Sequence, residues 1–238
     1  MRRNIISVFL KISSLLILLF FLKSACAVEF PNDTIKIGLL ISEANYIEAR
    51  SGAELAISEI NRKGGLNNTP LKLVTRSMEG PWGTGANQTV DLVFNEKVWA
   101  IVGSNDGRNT HLAEQVIAKT HVAFISAWSG DPTLYQAFVP WFFSIIPNNI
   151  QQAVALVEEI YYHQKIKKVM LLSDEEYDSE TEVKSFLNEV KKNNLPEPIQ
   201  INYENINTDF NFLFDNIKKN DSEVIVIFGQ PQNSLKII

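Results

Sequence analysis

The residues best suited to chemistry lie in two polar loops, 104–107 and 127–130, that each follow an apolar strand-like segment. In an open parallel sheet, the loops at the carboxyl ends of neighbouring strands face one crevice, and helix N-termini there present unpaired N–H groups. A helix that begins near Gly107 would direct its partial positive charge into this crevice, which suits a carboxylate or another anionic group. The alternative is two ordinary turns between strand and helix that bind nothing.

Aromatic and charged side chains stand beside the predicted strand ends. A ligand cleft usually has apolar walls and a few placed polar groups, and Arg108 can form paired hydrogen bonds to a carboxylate. Arg108 can equally pair with Asp106 or Glu43, and the aromatic rings can equally pack the loops on the scaffold. The candidate ligand-binding residues are Tyr46, Trp82, Asp106, Gly107, Arg108, Trp128, Ser129, Gly130 and Tyr177.

The sequence carries no recognisable catalytic motif. It has no P-loop, and Gly38 stands alone where a dinucleotide fingerprint needs three glycines. The three histidines lie in different segments without metal-ligand spacing, and no serine occupies a nucleophile elbow. Glu175, Glu176 and Asp178 form an acidic loop that can attract a cation, but no second cluster accompanies it. We therefore expect no enzymatic activity, no metal ion and no cofactor.

Residues 1–27 have the pattern of an export signal, with two arginines before an apolar run and small residues at the end. The apolar run, 12–22, is much shorter than the roughly 20 residues that span a bilayer. Cleavage after Ala27 would place the protein in the periplasm. Lipidation at Cys26 is a second interpretation, but Lys23 stands where a lipoprotein signal carries a small aliphatic residue.

Removal of this signal leaves an acidic chain. It takes away four of the 22 basic residues and none of the 27 acidic ones, which leaves a formal charge of −9. It also removes the only cysteine, so the remaining chain must be held by its apolar core and not by disulfides. An acidic protein without a basic patch is a poor candidate for nucleic-acid binding, so we expect no such partner.

Strand-like and helix-like segments alternate from Ile35 onwards, which predicts the α/β class with mainly parallel sheets and helices on both faces. The rhythm breaks near residues 138–147 and then resumes, which indicates two lobes. The predicted boundaries are a signal peptide at 1–27, a first ligand-binding lobe at 28–140 and a second lobe at 141–238.

Several segments occur in a characteristic order: Ile-Lys-Ile-Gly at 35–38, the helix end at 56–65, Ala-Ile-Val-Gly at 100–103, Phe-Ile-Ser at 124–126, and Asp-Pro-Thr-Leu at 131–134. Together they resemble the type I periplasmic binding proteins, in the branch of branched-chain amino-acid and amide ABC importers. The resemblance covers residues 35–238. It implies a clamshell of two Rossmann-like lobes that closes on a small ligand and delivers it to an ABC permease in the membrane.

The resemblance also implies roles for individual residues. In that family, the loop at 106–108 and the segment 128–130 hold the ligand carboxylate, and an aromatic residue at the place of Tyr177 closes over the ligand. Gly107 and Arg108 replace the serines often found at the helix start, and Trp128 is bulkier than the usual small residue, which argues against leucine-like specificity. Because family members continue well beyond residue 238, the second lobe is expected to be partial and the fold incomplete at its C-terminus.

These observations lead to one functional hypothesis with two alternatives. The hypothesis is an extracytoplasmic solute-binding component of an ABC importer that captures an amino acid or a similar small carboxylate or amide by hinge closure. The alternatives are an extracytoplasmic ligand sensor for a partner receptor and a non-functional truncated remnant. Nothing in the sequence distinguishes import from sensing. The ligand stays open as well, because ligand choice depends on side-chain placement.

Overall fold

The computed structural model describes residues 34–81, 83–103, 106–203 and 210–237. The expected signal peptide at 1–27 and the candidate site residue Trp82 lie outside these ranges. Residues 34–238 form one compact unit.

A five-stranded parallel sheet occupies the first part of this unit, with the strand order β2-β1-β3-β4-β5. In register, Ile37 of β1 aligns with Leu73 of β2 on one side and with Ala100 of β3 on the other. The order places β1 inside the sheet, which explains why nearly every β1 side chain is apolar. The strands are β1 Ile35–Ile41, β2 Leu71–Ser77, β3 Ala100–Gly103, β4 Ala123–Ser126 and β5 Phe142–Ser144.

A second, three-stranded parallel sheet has the order β7-β6-β8. Its strands are β6 Val169–Ser173, β7 Ile199–Asn202 and β8 Val224–Phe228. All five residues of the central strand β6 are buried, because helices cover both faces of this sheet. Two parallel α/β sheets confirm the predicted fold class.

Helices cross over between the parallel strands, as parallel pairing requires. Two of them continue into a π-helical turn, at Asp91–Asn95 and at Glu158–His163, and a 3-10 turn spans Pro132–Tyr135. None of the helices in the described part of the chain is both long and apolar enough to cross a membrane. The helices are α1 Ile47–Arg62, α2 Thr84–Val90, α3 Gly107–Thr120, α4 Asn149–Val157, α5 Tyr177–Lys192, α6 Phe210–Lys219 and α7 Pro231–Ser234.

Helix α1 ends at a pair of glycines. The N–H of Gly65 donates to the carbonyl oxygen of Ile60 at 3.0 Å, and Gly65 has a φ of 75°. A Cβ atom at this position would collide with the carbonyl group of Thr69. Only glycine fits both requirements, so this residue fixes where α1 stops and where the chain turns towards β2.

Strand β5 lies beyond residue 140 but pairs with β4 of the first sheet, through Phe124 and Phe142 among other partners. The sequence analysis placed β5 in the second lobe, at 141–238. In the structure, the chain leaves the first sheet after Ser144, which is inside the 138–147 interval where the pattern breaks. The division into lobes at 140 and 141 stays a prediction.

The apolar cores follow the alternation of side chains along the strands. In β6, Val169 and Leu171 pack in one cluster with Phe186 of α5, whereas Met170 and Leu172 pack on the opposite face. The first sheet has its own cluster around Leu40, Ile101 and Phe124. Each sheet therefore has a core large enough to position the loops at its strand ends.

We predict that Phe124→Ala lowers the free energy of unfolding by about 3–5 kcal/mol, because it opens a cavity in this first core. Phe124 is 0% exposed, and its ring stacks on Phe142 with centroids 5.7 Å apart. Urea denaturation measures the change, with Phe143→Ala as the matched control on β5, where the side chain is 52% exposed. Equal losses in the two variants would contradict the assignment of Phe124 to the core.

Candidate functional site

A cleft of about 580 Å³ lies at the carboxyl ends of strands from both sheets. Its walls come from the segments that follow β1, β2, β3, β6 and β8, which is where open α/β sheets bind ligands. The residues that line it are Ser42, Glu43, Asn45, Tyr46, Glu48, Met78, Glu79, Gly80, Asp106, Arg108, Asn109, Glu176, Tyr177, Asp178 and Gln230.

Four of the predicted site residues meet in this cleft: Tyr46, Asp106, Arg108 and Tyr177. Tyr46 and Tyr177 approach from different sheets, and the guanidinium carbon of Arg108 lies 5.4 Å from the centre of the Tyr177 ring. At this distance the cationic group interacts favourably with the ring face. The structure therefore places these four residues together, and their role in binding stays a prediction.

The predicted residues Trp128, Ser129 and Gly130 line a smaller adjoining cavity of about 130 Å³. Trp128 is 61% exposed, whereas Ser129 and Gly130 are buried. The carbonyl oxygen of Gly130 accepts a hydrogen bond from the N–H of Asn149 at 2.7 Å, so this loop is tied to the start of α4. Asp178 and Gln230 line both cavities and connect them.

The N-terminus of α3 is capped by two carboxylates. Asp106 accepts from the backbone N–H of Asn109 at 2.7 Å, which is the usual role of an aspartate at this position. Both carboxylate oxygens of Asp178, in the first turn of α5, accept from the N–H of Gly107 at 3.0 and 3.1 Å. A Cβ on Gly107 would lie 2.9 Å from one of those oxygens, so glycine permits this approach.

The fully buried carboxylate of Asp131 collects hydrogen bonds from three elements. Its Oδ2 accepts from the hydroxyl of Tyr177 at 2.8 Å and lies 3.2 Å from Nε2 of His111 on α3. Its Oδ1 accepts from the N–H of Thr133 at 2.8 Å and from the hydroxyl of Thr133 at 2.7 Å. His111 also contacts Glu114 through Nδ1, at 3.4 Å. Asp131 thus joins α3, the 3-10 turn and α5.

These contacts shift the pKa values of the residues around Asp131. Burial acts to raise the pKa of Asp131, but the hydrogen bonds from His111, Thr133 and Tyr177 outweigh it and hold that pKa well below the usual range. The hydrogen bonds to Asp131 and Glu114 raise the pKa of His111 to about 9. Burial and then the hydrogen bond to Asp131 raise the pKa of Tyr177 to about 12. At neutral pH, Asp131 is therefore an anion that faces a protonated His111 and a neutral Tyr177.

Two acidic residues of α5, Asp178 and Glu182, have raised pKa values. Burial raises the pKa of Asp178 to about 6, although the N–H of Gly107 opposes the shift. Burial, followed by the charges of Asp178 and Asp174, raises the pKa of Glu182 to about 7. Ionised carboxylates at this end of the sheets are therefore crowded, and each added negative charge is unfavourable.

Gln230, directly after β8, links the second sheet to the first. Its N–H donates to Oδ2 of Asp174 at 2.8 Å, and its side-chain Oε1 accepts from the hydroxyl of Tyr46 at 3.2 Å. Together with the bonds from Gly107 to Asp178 and from Tyr177 to Asp131, this contact crosses the cleft. Within the described residues, no three His, Cys, Asp or Glu side chains are grouped so that they could hold a metal ion.

The sequence analysis did not select Asp131, Asp178, Gln230 or His111 as site residues. Asp131 follows a strand and precedes Pro132, which is a typical capping position. Asp178 was considered only as part of an acidic loop. Gln230 follows the apolar strand β8, so its position at a strand end was a usable signal. His111 carried no such signal, because its contact with Asp131 depends on how α3 packs.

Two parallel α/β sheets with a cleft at their strand ends are the arrangement of the type I periplasmic binding protein fold. Residues 34–238 match the family model described as "Periplasmic binding protein", and the chain belongs to that family. Members of this family are extracytoplasmic.

Three relatives illustrate the match. An amino acid binding protein of Pseudomonas aeruginosa is 25% identical over 178 residues, which is 75% of this chain and 48% of that protein. Glutamate receptor 3.7 of Arabidopsis thaliana is 27% identical over 129 residues, which is 54% of this chain and 14% of the receptor. The crystal structure of LivJ, a branched-chain amino acid transporter substrate-binding protein from Streptococcus pneumoniae in complex with isoleucine, superposes with a TM-score of 0.68 and 26% identity.

That superposition covers 82% of this chain and 56% of the Streptococcus protein. The chain therefore spans about half the length of the two bacterial proteins, and a much smaller share of the plant receptor.

We predict that Tyr177→Phe lowers the free energy of unfolding by about 1–3 kcal/mol, because the buried carboxylate of Asp131 loses one donor. The variant keeps the aromatic ring beside Arg108. Urea denaturation at pH 7 measures the loss, with Tyr162→Phe as the control at a tyrosine that is 52% exposed. If both variants retain the stability of the parent chain, the bond from Tyr177 to Asp131 contributes nothing.

The raised pKa of His111 predicts a pH dependence of stability. Because the folded chain binds this proton more tightly than the unfolded chain, the stabilisation is complete below about pH 6.5 and is lost as the pH rises through about 9. His111→Gln should make the free energy of unfolding less dependent on pH between about 7.5 and 10. Asp178 and Glu182 titrate below this range, so their titration does not obscure the effect. Urea denaturation across this range is the measurement.

The control for this experiment is His163→Gln, which alters an exposed histidine at the end of a π-helical turn. This variant should keep the pH dependence of the parent chain. Identical slopes for the parent chain and His111→Gln would show that the pair of His111 and Asp131 does not hold the proton.

Proposed function

We propose that this chain is the solute-binding component of an ABC importer and that it captures an amino acid or a similar small carboxylate or amide by closure of two lobes. The observation that carries the proposal is the cleft of about 580 Å³ at the strand ends of both sheets. Its volume is in the range of small-molecule sites, and its polar groups converge from several loops. The match to the periplasmic binding protein family supports the same class of function.

The walls of the cleft suit a small polar ligand. Tyr46 and Tyr177 provide aromatic surface from opposite sides, and Arg108 and Gln230 provide hydrogen-bond donors. In the proposal, these residues contact the ligand directly, with Asp106 and Gly107 shaping the start of α3. Trp128, Ser129 and Gly130 bound the adjoining cavity, where the exposed Trp128 ring can cover a ligand side chain.

Closure of the lobes requires contacts that change between open and closed arrangements. The bonds from Tyr46 to Gln230 and from Gly107 to Asp178 are candidates, because each joins a loop of one sheet to a loop of the other. A ligand that adds contacts on both sides favours the closed arrangement by its difference in affinity for the two states.

The proposed ligand class and partners follow from the relatives. The Pseudomonas relative is named for amino-acid binding, and the Streptococcus relative was crystallised with isoleucine. We propose an amino acid or a compound of similar size here, delivered to an ABC permease in the membrane. We also propose that residues 1–27 direct export to the periplasm and are cleaved after Ala27.

A sensor is the second candidate, and the similarity to a plant glutamate receptor favours it. In this alternative, the same cleft binds a ligand and the closed form signals to a partner receptor. Deletion of the gene separates the two functions. Lost uptake of the ligand supports import, whereas intact uptake with a lost response to the ligand supports sensing.

The test of binding is a thermal-shift screen of the purified chain with amino acids, amides and short organic acids. We expect a selective upward shift, since a ligand at 100 times its Kd adds about 2.7 kcal/mol of stability. Tyr46→Ala should reduce this shift, and Tyr162→Ala, away from the cleft, should not. Cooperative unfolding with no shift across the whole panel would contradict the proposal.

A further inference from the structure

The carboxylate of Asp178 lies against the N-terminus of α3. The partial positive charge of a helix N-terminus attracts anions, and the N–H of Gly107 points to both oxygens of Asp178. The neighbouring N–H of Asn109 is taken by Asp106. A ligand carboxylate that enters here therefore meets two carboxylates of the protein, because these already accept from the N–H groups of Gly107 and Asn109.

The charges around the cleft add to this effect. Among the described residues that line it, six are acidic and only Arg108 is basic. The guanidinium of Arg108 already lies over the Tyr177 ring, at 5.4 Å from its centre. The acidic lining residues are Glu43, Glu48, Glu79, Asp106, Glu176 and Asp178.

Asp178 retains acceptor capacity for a cation. Each carboxylate oxygen has two lone-pair sites, and the N–H of Gly107 engages one on each oxygen. Asp178 lines both the main cleft and the adjoining cavity, so the remaining sites are within reach of a ligand that extends from one into the other. Tyr46, also on the wall of the cleft, offers an aromatic face suited to a cationic group.

We propose that the cleft selects a ligand with a net positive charge, such as an amino acid with an ammonium or guanidinium side chain, and that Asp178 is the residue that determines this specificity. The inference rests on the proposed function and narrows its ligand class. An anionic ligand is repelled by the carboxylates of the cleft, and a neutral ligand brings no positive charge to them.

The test uses pairs of ligands of similar length in which only one member carries a positively charged side chain. L-Arginine is compared with L-citrulline and L-lysine with L-norleucine, with L-glutamate as the anionic member, by isothermal titration of the purified chain. We expect the Kd for each cationic ligand to be at least about tenfold lower than for its neutral counterpart, because the bonds to Asp178 are charge-assisted.

The variant Asp178→Asn removes the charge and keeps an oxygen that accepts from Gly107. It should reduce the preference for arginine over citrulline, measured as the ratio of their Kd values, to about threefold or less. Glu180→Gln is the matched control, because it makes the same charge change on the same helix, and Glu180 lines a different cavity. This control should leave the ratio unchanged.

The outcomes separate the two proposals. Equal or tighter binding of citrulline, norleucine or glutamate by the parent chain overturns the inference and leaves amino-acid binding in place. An unchanged ratio in Asp178→Asn overturns the role of Asp178. Failure of every ligand in this set and in the wider screen overturns the proposed function, and this inference fails with it.

Discussion

The structure around the cleft depends on one buried anion, the carboxylate of Asp131. An isolated carboxylate in the protein interior is strongly unfavourable, so the chain must bring donors to it. It does so with the backbone and hydroxyl of Thr133, the imidazole of His111 and the phenol of Tyr177. These donors come from three elements that belong to different crossovers. Satisfying a single side chain therefore fixes how α3, the 3-10 turn and α5 meet.

That constraint carries over to the neighbouring residue. Tyr177 and Asp178 are adjacent at the start of α5, so the bond that holds Tyr177 against Asp131 also sets where Asp178 points. Asp178 then reaches the N–H of Gly107, and the absence of a Cβ on Gly107 gives it room. The position of Asp178 in the cleft wall therefore depends on how Tyr177 packs against the buried Asp131.

The fold was largely predictable because its main signals are local. The run Val-Met-Leu-Leu-Ser of β6 is apolar on both faces, and the structure buries it on both faces. Strand β5 was harder to assign to a sheet, since it has only three residues and its central Phe143 is exposed. It pairs with β4, where Phe142 stacks on Phe124, and hydrophobic periodicity does not reveal such a contact between side chains.

The site was predictable only as a set of loops. Strand ends of parallel sheets converge by topology, so Tyr46, Arg108 and Tyr177 could be grouped from their positions alone. The contact between Asp178 and Gly107 joins residues 71 positions apart and depends on the relative placement of two helices. Residue spacing does not predict contacts between helices so far apart in sequence. The acidic loop therefore gave no indication that Asp178 would cap the N-terminus of α3.

Under the proposed function, the same carboxylates would connect the charge of the ligand to lobe closure. The charges of Asp106 and Asp131 act to raise the pKa of Asp178, after the larger effect of burial. In the proposed closure, bringing these carboxylates together would cost electrostatic free energy, which the hydrogen bond from Gly107 and the charge of Arg108 would offset in part. A cation bound between the loops would reduce that cost in the closed arrangement and have a smaller effect in an open one, where the carboxylates are hydrated and further apart. Because a ligand shifts a conformational equilibrium only by its difference in affinity for the two states, the acidity of the cleft would couple binding of a cation to closure.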